Sequence, residues 1–140
     1  MAVRQRYFTP EEANAALPEV RAQVLELRSL ASELRVLAAD LKQRAEAGMG
    51  EEETEARARS FRAKQTQAEA LVEKVRQGGV DLKGLDPILL DFPALRLGKE
   101  VYLCWREGEG AIGFWHPIET GLQGRQPLAA EDPGVWEWFN

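Results

Sequence analysis

A row of small and apolar residues recurs at alternating steps of four and three in the first third of the chain. It contains Ala13, Leu17, Val20, Val24, Leu27, Ala31, Leu34, Ala38, Leu41 and Ala45. This is the heptad spacing of a long helix packed along another helix, and it holds for more than four repeats. The sequence therefore predicts that one long helix, packed along a second, dominates the first part of the fold.

The start of this helix is marked by Phe8-Thr9-Pro10-Glu11-Glu12, in which Thr9 can cap the first turn while Glu12 reaches back to the N–H of Thr9. Gly48-Met49-Gly50 ends the pattern, and a second helix begins at Glu51 and ends before Gly78. Its weaker heptad row consists of Thr54, Ala58, Phe61, Gln65, Ala68, Val72 and Val75. Because the link is short, the two helices are predicted to run antiparallel.

The first helix is predicted to be longer than the second. The first two turns, up to Pro18, therefore have no partner on the second helix, and we expect them to pack against the region that follows. Pro18 removes one backbone hydrogen bond, which predicts a kink at this point.

The second half of the chain has the character of short strands. Residues 80–83 and 88–93 are candidate strands, and the stretch 99–117 predicts a β-hairpin around Gly108-Glu109-Gly110. The predicted fold class is α+β, a long antiparallel two-helix coiled-coil hairpin followed by a small antiparallel β-hairpin or sheet cap. We predict one domain over residues 1–140, made of a helical hairpin (8–77), a β cap (78–128) and an aromatic tail (129–140) that carries Trp136, Trp138 and Phe139.

Charge and hydropathy exclude several classes of protein. The formal net charge is −5, and residues 78–140 carry five basic and ten acidic side chains, which argues against binding of this half to phosphate backbones or anionic lipid. No run approaches the length of a membrane span, and the N-terminus lacks a signal-peptide core. The single cysteine requires no oxidising compartment. We therefore expect a cytoplasmic protein without membrane contact.

The predicted hairpin holds the chain's only cysteine, Cys104, and its only histidine, His116. If the reversal uses three residues, Cys104 lies diagonal to His116 on one face of the sheet; if it uses two, the pair separates onto opposite faces. The functional interpretation is a ligand pair for haem or a transition metal, or a thiolate with a base. The structural interpretation is that Cys104 is a small buried hydrophobe. A closed zinc site, which normally takes four protein ligands, is not favoured.

Five further residues belong to the predicted ligand-binding site. Trp105 and Trp115 can line an apolar pocket or belong to the core. Arg125 can clamp an anion or pair with Asp91 or Glu119. Glu109, at the predicted hairpin tip, can be an acid, a base or simply a solvated side chain. Together with Cys104 and His116, the predicted site is Asp91, Trp105, Glu109, Trp115 and Arg125.

A basic run, Arg57-Ala-Arg59-Ser-Phe-Arg62-Ala-Lys64, lies on the second helix. By itself it would indicate a nucleic-acid stripe. Glu33, Asp40 and Glu46 on the antiparallel partner can neutralise it, so nucleic-acid binding is not expected.

Several segments resemble a bacterial family catalogued as domain of unknown function 2203. The matching segments are Phe8-Thr-Pro-Glu-Glu-Ala-Asn14, Leu17-Pro18, Leu82-Lys83, Leu90-Asp-Phe-Pro93, Leu103-Cys-Trp105, Gly108-Glu109, Trp115-His116, Gly121 and Gly124-Arg-Gln-Pro-Leu128. The resemblance covers residues 8–128 and implies no established activity.

The sequence favours a non-enzymatic interaction module in which two helical hairpins associate as a homodimer. Apolar residues outside the main heptad rows, namely Leu25, Leu30, Val36, Leu37 and Leu71, would be covered by such pairing. The alternative is a protein that binds a small ligand, haem or a metal ion through Cys104 and His116. An enzyme with Cys104 as nucleophile is the least favoured hypothesis, because no catalytic spacing is present.

Overall fold

Two long helices open the fold, as the heptad rows predict. The computed structural model describes residues 6–136, so the predicted tail aromatics Trp138 and Phe139 lie outside the described residues. Helix α1 runs over Pro10–Ala47 and helix α2 over Glu51–Gln77. The helical assignment of α1 continues across Pro18. Five strands follow, so the α+β class predicted from the sequence is confirmed.

The start of α1 is stabilised by the predicted reciprocal cap. The backbone N–H of Glu12 donates to Oγ1 of Thr9 (3.2 Å), and the backbone N–H of Thr9 donates to Oε1 of Glu12 (2.9 Å). Two N–H groups at the start of the helix, which lack partners within it, are thereby satisfied.

We expect Thr9→Ala to lower the free energy of unfolding by about 1 kcal/mol, because the helix loses its capping oxygen. Thr66→Ala is the matched control. Thr66 lies inside α2, where its hydroxyl donates to the carbonyl of Arg62, and alanine is the better helix former there. Urea unfolding of both variants measures the difference. Equal stabilities for the two variants would contradict the capping role.

The described residues form two compact units. Residues 22–74 make up the helical unit, and residues up to 21 together with those from 75 onward make up the sheet unit. The first turns of α1 therefore belong to the same unit as the strands, as the difference in helix length predicts. The prediction of a single domain over 1–140 stays a prediction.

Within the helical unit, ion pairs identify the orientation of the two helices. Asp40 lies 3.0 Å from Arg57, and Glu33 lies 3.7 Å from Lys64. Because the partner number rises as the α1 number falls, the helices run antiparallel.

The buried row of α1 differs from the predicted row over its second half. Leu30 is buried and Leu37 is half-buried, whereas Ala38 and Ala45 are exposed. The inward residues continue as Leu27, Leu30, Leu34, Leu37 and Leu41, which keeps the steps of three and four. Leucine buries more apolar area than alanine, so the helix turns its leucines inward.

The buried row of α2 is corrected in the same way. Leu71 is half-buried, while Gln65 and Val72, which the sequence pattern placed on the row, are exposed. Leu30, Leu37 and Leu71 therefore need no second hairpin to cover them.

The five strands form one antiparallel sheet in chain order. They are β1 (Asp81–Leu85), β2 (Ile88–Arg96), β3 (Lys99–Arg106), β4 (Phe114–Pro117) and β5 (Gln126–Pro127). Short 3₁₀ turns at Gly121–Gly124, Leu128–Ala130 and Pro133–Trp136 complete the fold. The sheet is larger than the predicted cap, because β2 extends past Pro93 and β5 adds a fifth strand.

Pro93 lies inside β2, where the sequence predicted the end of a strand. The partner strand β1 begins at Asp81, which pairs with Asp91, so the edge of β2 beyond that pair is not covered by β1. The N–H of Phe8 donates to the carbonyl of Pro93 (2.7 Å) on this edge. Since N and C=O of one strand residue point to the same side, the missing N–H of Pro93 also faces this edge and breaks no ladder bond.

One face of the sheet packs against the start of α1. Phe8 contacts Phe92 edge-on, with ring centroids 5.2 Å apart. Asn14 of α1 accepts from the N–H of Ile112 (2.7 Å) and donates to its carbonyl (3.4 Å). These contacts hold the loop between β3 and β4 against the helix.

Candidate functional site

The pairing of β2, β3 and β4 brings the predicted site residues to one face of the sheet. Asp91 is paired with Cys104, and Tyr102 with His116. Since residues two apart on a strand share a face, all four side chains point to the same side. This is the alternative in which Cys104 lies diagonal to His116.

The connection that produces this register is longer than predicted. Cys104 pairs with Phe114, as a three-residue reversal requires, but β3 ends at Arg106 and β4 begins at Phe114. Residues 107–113 form the connection, which contains a hydrogen-bonded turn in which the N–H of Glu109 donates to the carbonyl of Arg106 (3.0 Å).

Three potential ligand atoms converge at this place. The Sγ of Cys104, a ring nitrogen of His116 and a carboxylate oxygen of Asp91 all lie within 4.8 Å of one another. The residues are 2%, 2% and 6% exposed, respectively. Within the part of the chain that the structure describes, this is the only such group of three or more His, Cys, Asp or Glu side chains.

Both ring nitrogens of His116 face oxygen acceptors. Nδ1 lies 2.7 Å from the carbonyl oxygen of Pro117, and Nε2 lies 3.1 Å from Oδ1 of Asp91. A neutral imidazole carries one N–H, so it can donate to one of these oxygens only. The other ring nitrogen then faces its oxygen with a lone pair, and that contact is favourable only if a second proton or a cation lies between the two atoms.

Burial raises the pKa of both acidic groups in the cluster. Loss of solvation raises the pKa of Cys104 to about 12, the negative charge of Asp91 adds to this rise, and Arg125 opposes it. Burial also raises the pKa of Asp91 above its ordinary 3.8, while His116 opposes the rise. Without a bound cation, Cys104 is a neutral thiol at neutral pH.

Alkylation of Cys104 by iodoacetamide in chelator-treated native protein is expected to be at least a hundredfold slower than in urea. A pKa of about 12 instead of 9.0 lowers the thiolate fraction about a thousandfold, and the thiolate is the nucleophile. Mass spectrometry of quenched samples measures the rate. Similar rates in both states near neutral pH would instead support a reactive cysteine.

A cavity of about 190 Å³ opens onto the cluster. Besides the three donor residues it is lined by Lys83, Leu89, Tyr102, Ile118, Gly121 and Leu122. The ammonium of Lys83 lies 4.8 Å from the centroid of the Tyr102 ring. The hydroxyl of Tyr102 donates to Asp81 (2.7 Å), which holds the ring in place. The cavity is mainly apolar with one cation at its wall.

Trp105 and Trp115 do not belong to this cavity, which corrects their predicted place in the site. Each is the strand neighbour of a donor residue, so each side chain points to the opposite face. The indole N–H of Trp105 donates to the carbonyl of Gly110, and that of Trp115 to Glu131. Both rings are buried, as core residues are.

Glu109 and Arg125 form an ion pair with each other. Nη2 of Arg125 lies 2.7 Å from both carboxylate oxygens of Glu109, and its guanidinium lies 4.1 Å from the Phe114 ring centroid. The predicted partners of Arg125 were Asp91 and Glu119, so this pairing is a correction. Glu109 also accepts from the N–H of Arg106, which ties the loop to the end of β3.

Two residues of the cavity wall, Tyr102 and Lys83, are not among the residues that the sequence motifs indicate. Tyr102 precedes Cys104 by two residues, so strand alternation alone places it on the same face. Lys83 carries no such signal, because its position depends on the pairing of β1 with β2.

The basic run of α2 is largely matched by acidic groups. Arg57 contacts Asp40, Arg62 contacts Glu55 and Lys64 contacts Glu33, all within 4.0 Å. These pairs favour a solvated, salt-bridged face. That nucleic acid is not bound stays a prediction. No helix in the described residues has the length and apolarity that crossing a bilayer would require.

The fold and the site define an α+β protein with a buried Asp–Cys–His cluster on a five-stranded antiparallel sheet. The chain belongs to the family described as an uncharacterized conserved protein (DUF2203), which it matches over residues 6–128. The resemblance seen in the sequence is thereby confirmed. No curated protein and no solved structure matches the chain.

Proposed function

We propose that the protein binds a divalent transition-metal ion, of the zinc class, through Asp91, Cys104 and His116. The observation that carries this proposal is the convergence of a carboxylate oxygen, a sulfur and a ring nitrogen within 4.8 Å at the buried base of a cavity. A tetrahedral ion holds its ligands roughly 3.3–3.8 Å apart, so small side-chain shifts would complete the arrangement.

The orientation of His116 supports the same ion. If Nδ1 carries the proton and donates to Pro117, the lone pair of Nε2 points toward the carboxylate of Asp91. Two lone pairs facing each other repel, and a cation between them turns this repulsion into two ligand bonds. A metal-bound histidine commonly donates its other ring N–H to a backbone carbonyl in this manner.

The donor set indicates the kind of ion. One thiolate, one imidazole and one carboxylate match the ligands of zinc and of similar borderline ions, whereas Mg²⁺ and Ca²⁺ prefer oxygen alone. A bound ion would also remove the proton from Cys104.

An ion held by these three residues would keep a fourth position for another ligand, and the cavity beside the three donors would give that ligand room. Open positions of this kind hold water or a small ligand in zinc proteins. Lys83 at the cavity wall favours an anionic ligand, such as a carboxylate. The proposed role of the site is therefore to bind the ion together with such a ligand.

The haem alternative fits less well. The cavity of about 190 Å³ is below the roughly 300–1,000 Å³ of pockets for drug-sized molecules, and a haem exceeds such molecules in size. Trp105 and Trp115, which would have stacked on the macrocycle, lie on the opposite face of the sheet. A reduced thiol ligand agrees with a reducing compartment, so we keep the cytoplasm as the proposed location.

The test is a titration of chelator-treated protein with Co²⁺, whose thiolate complexes absorb strongly in the near ultraviolet. We expect one Co²⁺ per chain with a sulfur-to-cobalt band, and displacement of the band by Zn²⁺. Cys104→Ser should lose the band, and His116→Gln should weaken binding at least tenfold.

Glu119→Gln is the matched control, because Glu119 is an exposed acid two residues beyond β4 that contributes no donor atom to the cluster. It should keep both the band and the affinity. A wild-type protein that shows no near-ultraviolet band at saturating Co²⁺ would overturn the proposal, and so would a band that survives in Cys104→Ser.

We also propose, as a second function, that the helical unit associates with a second copy of the chain as a homodimer. The observation that favours it is the exposure of large apolar side chains on α1: Leu25 and Val36 are 41% and 68% exposed. Light scattering over a range of micromolar concentrations should approach twice the chain mass of 15.7 kDa. A mass of one chain at every concentration would contradict self-association.

A further inference from the structure

A second heptad row lies on the outer side of α1 within the helical unit. It consists of Ala22, Leu25, Ser29, Ser32, Val36 and Ala39. The steps are again three and four, none of the six side chains is charged, and all six are exposed. At 100° per residue the row lies about 150° around the helix from the buried leucines. It is therefore a separate surface, and we name it the outer row.

Charged residues of opposite sign border the outer row on its two sides. Arg28 and Arg35 lie on one side, each one position before a residue of the row, and Lys42 continues them. Glu26, Glu33 and Asp40 lie on the other side, each one position after a residue of the row. In a heptad these are the flanking positions that face the partner helix of a coiled coil.

This charge arrangement selects one kind of partner and one orientation. In a parallel pair of identical helices, the basic side of one helix meets the acidic side of the other, so Arg28 would face Glu33 of the second copy and Arg35 its Asp40. In an antiparallel pair, like charges would meet. The outer row is therefore complementary to itself only in the parallel arrangement.

We infer that a second copy of the chain packs along the outer row, with the two α1 helices parallel. This inference rests on the self-association proposed above and adds its surface and its polarity. Glu33 and Asp40 also contact basic residues of α2 in the same chain, so the flanking charges act on orientation more than on affinity. With only two large apolar residues in the row, the association is weak and depends on concentration.

The first experiment compares two exposed valines. Val36→Glu places a charge on the outer row at its most exposed large apolar residue, whereas Val72→Glu places the same charge on an exposed position of α2 that is outside the row. We expect light scattering to show a dimer for the wild type and for Val72→Glu, and a single chain for Val36→Glu. Circular dichroism verifies that both variants keep their helices, because both positions are exposed.

The second experiment measures polarity by disulfide formation in a Cys104→Ser background. Ala39→Cys lies on the outer row away from its centre, so it meets its own copy only in a parallel pair. Ala38→Cys, also exposed but outside the row, is the control. Mild oxidation should cross-link Ala39→Cys between chains and leave Ala38→Cys as single chains.

The outcomes separate the two proposals. A wild-type protein that stays a single chain overturns self-association and this inference together. A dimer that persists in Val36→Glu overturns the surface assignment and leaves self-association standing. A mixed disulfide between Ala22→Cys and Ala39→Cys chains, without the Ala39→Cys homodimer, overturns the parallel orientation alone.

Discussion

Zn²⁺ is expected to raise the melting temperature of chelator-treated protein by on the order of 10 °C when the free ion is about a thousand times its dissociation constant. Binding to the folded chain alone adds about 4 kcal/mol at that ratio, and each kcal/mol moves the midpoint of a chain of this length by about 3 °C. Differential scanning fluorimetry with and without chelator measures the shift. A midpoint that does not respond to Zn²⁺ would contradict a site assembled by folding.

Asp91→Asn is expected to raise the stability of the metal-free protein and to weaken its response to Zn²⁺. Without metal, the amide can donate to Nε2 of His116 where the carboxylate cannot, and a buried charge is removed, so the variant should be about 1–2 kcal/mol more stable than the wild type. With Zn²⁺, it should lose most of the ion-dependent gain. Glu119→Gln, which keeps the three donors, should behave as the wild type in both conditions.

The stability difference between the wild type and Asp91→Asn should depend on pH, and the direction of that dependence follows from the raised pKa of Asp91. Because the folded pKa of Asp91 is raised above 3.8, its contribution to stability is fully present below pH 3.8 and is lost as pH rises through the folded pKa. Without metal, the free energy of unfolding of the wild type minus that of Asp91→Asn should therefore fall as the pH rises from 3.8 through the folded pKa of Asp91. With Zn²⁺ the difference should rise with pH, because metal binding releases protons from the ligands. Parallel curves for the two proteins would contradict both assignments.

Trp105→Ala is expected to lower the free energy of unfolding by about 3–5 kcal/mol, since a fully buried indole leaves a cavity and loses its hydrogen bond to Gly110. That is a large part of the roughly 5–15 kcal/mol that stabilises a typical domain. Urea unfolding measures the loss, and Leu97→Ala is the control because Leu97 is 61% exposed.

The same variant distinguishes a core tryptophan from a pocket tryptophan. Where Trp105→Ala is still folded, at low temperature and without urea, the Co²⁺ band should keep its position, because Trp105 lies on the other face of the sheet. A variant with nearly unchanged stability and an altered band would place the indole in the site after all.

Local patterns in the sequence predicted the helices and the class of fold. The cap at Thr9 and Glu12 depends on residues three apart, and the antiparallel helix pair follows from a short link, so both can be inferred without tertiary information. The row of leucines in α1 was harder to assign, because Leu30 and Ala31 both satisfy a heptad. The choice depends on how much apolar area each option buries.

The candidate site depended on register, which the sequence left open. Whether Cys104 shares a face with His116 depends on the pairing of β3 with β4, and the same parity places Trp105 and Trp115 on the opposite side. The continuation of β2 past Pro93 was not predicted from the sequence for a related reason. A proline is excluded from a paired strand only where its missing N–H faces a neighbouring strand, and here that depends on where β1 begins.

The sheet unit is made of two separate segments of the chain, the residues up to 21 and those from 75 onward. Residues 22–74, which lie between these segments in the sequence, form the helical unit. The helical unit is thus, in architectural terms, an insertion within another compact structure. Removing one heptad from each of its helices would preserve the phase of their contacts and leave every residue of the sheet unit present. Natural variation in length should accordingly accumulate in the helices, in steps of seven, while the spacing between β2 and β4 is retained.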